Sequence, residues 1–169
     1  MNLSKILKNT FLVILLSMVV SACATKKTAT KMDSQIQGDV YTGTDTVEYL
    51  AKGVPDRVFF ATNESILTTM SRDTLRKQAA WLRDNPSVNV VLEGHADERG
   101  TREYNLALGE RRANSAKDYL MTYGVSADRI SVISYGKERP VNSESTPLAW
   151  SQNRRSVTCL LYTSPSPRD

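Results

Sequence analysis

The chain has 169 residues, 40% of them hydrophobic and 24% charged, with a formal net charge of +4. That suffices for one domain with a real core, and the basic balance is too weak to argue for nucleic acid. Two cysteines and a single histidine exclude a cysteine/histidine metal cluster. The first 22 residues read as a targeting segment and not as fold. Lys5 and Lys8 precede an apolar run over residues 11–20, which ends in Val20-Ser21-Ala22-Cys23. A positive start, an apolar stretch short for a bilayer span and small residues at a cut point make a leader; an uncleaved anchor helix is the alternative.

A cysteine directly after Val-Ser-Ala resembles the bacterial lipobox. The resemblance implies cleavage before Cys23 and lipid on its thiol and new amino group. Each buried methylene contributes about 0.8 kcal/mol, and lasting attachment takes more than one chain. Ala24 follows where an aspartate would suggest inner-membrane retention, so the resemblance favours the outer membrane, with the domain in the periplasm. Removing the first 22 of 169 residues leaves 147 and takes the formal charge from +4 to +2, because Lys5 and Lys8 leave with the segment. Acylation of Cys23 would leave Cys159 alone, with no intramolecular disulfide. Residues 23–52 are rich in Thr, Lys, Ser, Gln, Asp and Gly and predict a flexible polar tether.

Order is expected from residue 53 to about residue 162. Arg57-Val58-Phe59-Phe60 predicts a short strand, and Ala61-Thr62-Asn63-Glu64-Ser65 a loop. A helix is expected over residues 71–85, with Ser71 as N-cap and Asn85-Pro86 as its stop. Residues 88–92 are β-branched and apolar, a second strand. Gly94 and Gly100 bracket a polar turn region, and a long helix runs from about Thr101 to Tyr123, with Gly124 suited to the C′ position. Ile130-Ser131-Val132-Ile133 is a third strand and Tyr135-Gly136-Lys137-Glu138-Arg139-Pro140 begins a loop. Thr146-Pro147 reads as N-cap and N1 of a short helix to about Asn153, and residues 155–161 as a fourth strand. The order β-α-β-α-β-(α)-β predicts an α/β sandwich: a small mixed four-stranded sheet with helices packed on one face. Residues 163–169 break in character and are expected to be disordered.

At 100° per residue, Asn105, Leu108, Gly109, Arg112, Ala113, Ala116 and Leu120 share one broad face of the long helix. Arg112 thus falls on the apolar side. A guanidinium keeps its proton and is costly to bury unpaired, so it calls for an anion, internal or brought by a ligand. The nearest upstream acids are Glu93, Asp97 and Glu98, in Glu93-Gly94-His95-Ala96-Asp97-Glu98-Arg99-Gly100. Together they point to a site for something carrying both charge signs. A buried Asp97–Arg112 salt bridge without a ligand is the alternative. His95, the only histidine, makes a poor metal site by itself and reads as a packed or supporting residue.

That loop, with Asn105-Leu106-Ala107-Leu108-Gly109-Glu110-Arg111-Arg112-Ala113, Tyr135-Gly136-Lys137-Glu138-Arg139-Pro140 and Asn153-Arg154-Arg155-Ser156-Val157, resembles the OmpA-like peptidoglycan-binding domains. The resemblance covers roughly residues 57–157. It implies a non-catalytic domain without a cofactor, binding the diaminopimelate of uncrosslinked peptidoglycan stems. Asp97 would take the ammonium, and Arg112 would fork onto the carboxylate. Asn105 would fix the loop or the peptide, with Thr62 and His95 in support. The layout further implies a place in the Tol system of the envelope, with TolB as protein partner; Glu98, Tyr104 and Tyr135 are candidate contacts. The chain departs from the family at Ala61, where relatives often carry an acid. It departs again from about Thr158, where relatives usually close with a short apolar-aromatic strand, so Cys159 is given no functional meaning. Two other classes stay open: a wall-modifying hydrolase using Glu93, Asp97 and Glu98 as paired carboxylates, and a structural lipoprotein that binds only proteins.

Overall fold

The computed structural model describes residues 36–161. The leader, Cys23, the first part of the tether and the tail from residue 162 lie outside them. Twelve elements follow in chain order: β1 Ile36–Gln37, β2 Val40–Tyr41, β3 Tyr49–Ala51, β4 Val54–Pro55, β5 Arg57–Phe59, α1 Thr69–Asp84, β6 Asn89–His95, α2 Arg102–Thr122, a 3-10 turn Ala127–Arg129, β7 Ile130–Gly136, α3 Pro147–Asn153 and β8 Arg155–Leu161. The main sheet has the order β5-β8-β6-β7. β6 and β7 run parallel, as a crossover through α2 requires, while β8 is antiparallel to both β5 and β6. This is the mixed four-stranded sheet expected from the sequence.

The hydrophobic faces of α1 and α2 cover one side of that sheet. Val90 and Leu92 of β6 share a core with Leu75 and Leu82 of α1 and with Ala113 and Leu120 of α2. Strand alternation turns Glu93 and His95 to the other side. There, β3 and residues 139–141 border a cavity of about 540 Å³ lined by Arg57, Glu93, His95, Arg139 and Arg155 among others.

α2 is bounded as its sequence predicts. Thr101 accepts a bond from the Tyr104 amide at its start. At its end Gly124 takes φ +85°, and Gly124 N–H and Val125 N–H reach Met121 O and Leu120 O, a Schellman closure with Leu120 and Val125 both buried. α1 starts earlier than expected. Its N-cap is Thr68, whose side chain accepts from Ser71 N–H, while Ser71 Oγ donates to Phe59 O and ties the helix to β5.

β6 runs three residues past its expected end. Gly94 is therefore a strand residue, not a turn glycine. A Cβ there would run into the Gly109 carbonyl, so the pair lets α2 lie directly on the sheet. Order also begins before residue 53. β1 and β2 form a hairpin, and Tyr41 is fully buried with its ring edge-on to Phe59 at 4.8 Å. Polar composition suggests tether here; a buried aromatic, two short antiparallel pairings and contacts from Asp39 order it instead.

Candidate functional site

The site is built at the end of β6. His95 closes the strand, and residues 96–100 turn across the top of α2. Four anchors hold that turn. Ala96 N–H donates to Gly136 O at 2.8 Å, Asn105 Nδ2 to Arg99 O at 2.8 Å, Lys137 Nζ to Gly100 O at 2.7 Å, and Trp150 Nε1 to Glu98 Oε1 at 2.8 Å. Gly100, at φ +90°, makes the left-handed step into α2. Asn105 thus ties the loop to the first turn of α2.

Asp97 is buried at the head of this turn, and its carboxylate is gripped by two arginines. Arg99 donates through Nε at 3.1 Å, Nη2 at 2.7 Å and its backbone amide at 3.1 Å. Arg154 donates through Nη1 at 3.3 Å. Burial works against the charge, but these bonds outweigh it and hold the carboxyl below its ordinary 3.8. The Arg99 side chain is half-exposed and stacks over Trp150 at 4.4 Å.

Arg112 has no carboxylate partner among the described residues. It is 0% exposed, and three of its five N–H groups go to backbone carbonyls: Nε to Glu64 O at 2.8 Å, Nη1 to His95 O at 2.9 Å and Nη2 to Ala61 O at 2.9 Å. The guanidinium also lies 5.3 Å from the Phe60 ring centre. Burial and the nearby Arg154 charge lower its pKa to about 10, while Asp97 acts the other way. The expected anion is thus replaced by three carbonyl oxygens from two chain segments. An open guanidinium ready to fork onto a ligand is not what the side chain presents. It is a buried cation that fixes residues 61–64 against the end of β6, with its charge felt at Asp97.

Arg154 is the second buried cation, 2% exposed. It donates Nε to Phe60 O at 3.1 Å, Nη1 to Asp97, and Nη2 to both Asp39 O and Asp39 Oδ1, the last at 2.8 Å. Asp39 comes from the turn of the β1–β2 hairpin. Its other oxygen accepts the Thr62 amide at 2.5 Å, while Thr62 Oγ1 accepts from Arg99 at 3.3 Å. Burial opposes the Asp39 charge too, but the Thr62 bonds and the Arg154 and Arg99 charges keep its pKa below 3.8. In the sequence Arg154 stands only within the Asn153–Val157 motif, and nothing signals Asp39, which reaches the site from 115 residues away.

Strand alternation separates the remaining expected residues. The His95 carbonyl serves Arg112, but its ring lies on the opposite sheet side, 5.6 Å from Tyr135 and with Nε2 3.5 Å from Glu93. Burial, aided by Arg155, Arg57 and Arg139, drops its pKa to about 3, so it is neutral. It supports the site through its backbone alone. The roughly 540 Å³ cavity it lines is on that far side, away from the Asp97 carboxylate. Glu98 and Tyr104 are exposed beside the loop, and Arg139 covers the Tyr135 ring at 3.8 Å. Among the described residues, no group of three or more His, Cys, Asp or Glu side chains is placed to hold a metal, and no helix is long and apolar enough to cross a membrane.

Comparison with known proteins gives the family. Residues 59–154 match the OmpA family. A peptidoglycan-associated lipoprotein of Mesorhizobium japonicum is 42% identical over 161 residues, covering 94% of this chain and 96% of that one. Its counterpart in Brucella melitensis is 43% identical over 150 residues, 86% and 87% of the two chains. The crystal structure of the peptidoglycan-associated lipoprotein from Burkholderia pseudomallei superposes with a TM-score of 0.61 at 33% identity, over 63% of this chain and 90% of that one. The chain belongs to the OmpA family, among its peptidoglycan-associated lipoproteins.

Proposed function

We propose that this protein clips the outer membrane to the cell wall without covalent attachment to the wall. Lipid on Cys23 holds one end, and the domain binds diaminopimelate-containing stem peptides at the Asp97 loop. The observation that carries the reading is the charge arrangement there. Two acids, Asp97 and Asp39, pair with the guanidiniums of Arg99 and Arg154, with the buried Arg112 charge felt at Asp97, a set suited to a ligand with an ammonium and a carboxylate on one carbon. Asp97 stays ionised and takes the ammonium once the half-exposed Arg99 swings aside. Arg112 holds residues 61–64 in place and adds positive field. Joining two anchors by a tether raises the local concentration of each site, so a modest wall affinity suffices.

The same reading places the protein in the Tol–Pal system, in envelope integrity and cell division. TolB is its partner, meeting the exposed loop face at Glu98 and Tyr104, with Tyr135 reached only past the Arg139 that covers its ring. Binding, not hydrolysis, fits the carboxyls. Both Asp97 and Glu98 have lowered pKa values, whereas glycan cleavage needs one raised to serve as acid, and Glu93 is on the other sheet side. Sedimentation of purified protein with sacculi tests the proposal. Protein in the pellet with no soluble muropeptides is expected. Release of muropeptides would favour a hydrolase, and protein left in the supernatant, with no partner present, would favour a lipoprotein that binds only proteins.

A further inference from the structure

The turn of the β1–β2 hairpin places a carboxylate where a ligand carboxylate would be received. Gln37 pairs with Val40, so Gly38 and Asp39 form a two-residue turn, with Gly38 at φ +65°. From that turn Asp39 spreads its two oxygens over two fixed donors: Oδ1 on Arg154 Nη2 at 2.8 Å and Oδ2 on Thr62 N–H at 2.5 Å. The donors are rigid. Arg154 is 2% exposed and tied to Phe60 O and Asp97, and Thr62 adjoins the carbonyl at Ala61 that Arg112 holds. The acceptor is not. The Asp39 side chain is 50% exposed, on a hairpin of two-residue strands. Such a hairpin has little stability of its own, and here Tyr41 anchors one end while the Asp39 contacts hold the other.

We propose that Arg154 Nη2 and the Thr62 amide form a carboxylate subsite that Asp39 fills in the free protein, and that an incoming wall carboxylate takes by displacing it. This rests on the wall-binding reading above. The exchange is balanced in charge, since one carboxylate leaves the buried guanidinium as another arrives. Displacement lowers apparent affinity by the fraction of time the subsite is free. Asp39 thus acts as an internal competitor, and the hairpin moves outward while Tyr41 stays seated.

The test is calorimetric titration of the full chain, wild type and Asp39→Ala, with a diaminopimelate-containing stem tripeptide. The proposal expects three- to tenfold tighter binding by Asp39→Ala and a smaller gain by Asp39→Asn, which keeps the shape but loses the charge. Equal or weaker binding by both variants, with wild type still binding, overturns the competitor role and leaves wall binding standing. Absence of binding by wild type and both variants overturns the wall reading and this proposal with it. Carbon NMR of wild type gives a readout independent of any variant. The Asp39 carboxyl should titrate below 3.8 in the free protein and return to the ordinary range when peptide saturates the site. An unmoved titration overturns displacement.

Discussion

Replacing Arg112 by alanine should cost the fold before it costs the ligand. The side chain is 0% exposed and donates to the Ala61, Glu64 and His95 carbonyls at 2.8–2.9 Å. Losing three charge-assisted bonds removes roughly 4.5–6 kcal/mol at about 1.5–2 each. Part of that returns, because burial penalises the charged guanidinium enough to lower its pKa to about 10, a cost of roughly 3 kcal/mol that disappears with the side chain. The void left behind adds about 1 kcal/mol, for a net loss of about 3 kcal/mol. Urea denaturation of purified protein reads this directly. With a slope near 2 kcal/mol per molar, the midpoint falls by about 1.5 M. Arg112→Lys keeps a charge but cannot fork to three carbonyls, and should fall in between. A midpoint for Arg112→Ala within about 0.3 M of wild type would refute the reasoning, since the guanidinium would then be free of those carbonyls and available to ligand.

Further outcomes follow from the same geometry. Gly94→Ala should lower stability by about 2–3 kcal/mol in the same assay, because its Cβ meets the Gly109 carbonyl and α2 must lift from β6. A neutral result would mean that helix and strand are not in backbone contact. The pH dependence of stability should carry a histidine signature. His95 has an ordinary pKa of 6.5 and a folded value of about 3, so between these values the unfolded chain binds the extra proton; stability is full above 6.5 and declines as pH falls toward 3. Asp39 and Asp97, both lowered below 3.8, add a further loss only as pH falls below that value. His95→Phe removes the first decline while keeping the stack on Tyr135, and denaturation midpoints at pH 7 and pH 5 check it. An unchanged difference between the two would contradict a neutral buried ring.

Much of the fold was legible because periodicity reports which side of an element meets the core. The face of α2 from Asn105 to Leu120, the Thr101 cap, the Gly124 closure and the Thr146-Pro147 start of α3 all follow from local chemistry. The missed features are non-local. Glu93-Gly94-His95 looks like loop by composition, but stays in β6 because Gly109 on another element needs a neighbour without a Cβ. The partners of Arg112 could not be read because they are main-chain oxygens, identical at every residue, brought in from 17 to 51 positions away. Asp97 and Arg112 both sit at the end of β6, yet Asp97 pairs with Arg99 and Arg154 and Arg112 with carbonyls. Asp39 was hidden in a stretch whose polarity suggested tether, where Tyr41 was the one clue to burial.

The central claim is that an ionised Asp97, set among arginines at the end of β6, receives the ammonium of a wall stem peptide. Calorimetric titration of wild type and Asp97→Asn with a diaminopimelate-containing tripeptide tests it most directly, with denaturation midpoints confirming that both are folded. Binding by wild type and at least tenfold weaker binding by Asp97→Asn is the predicted result. Equal affinity in two folded proteins would contradict it.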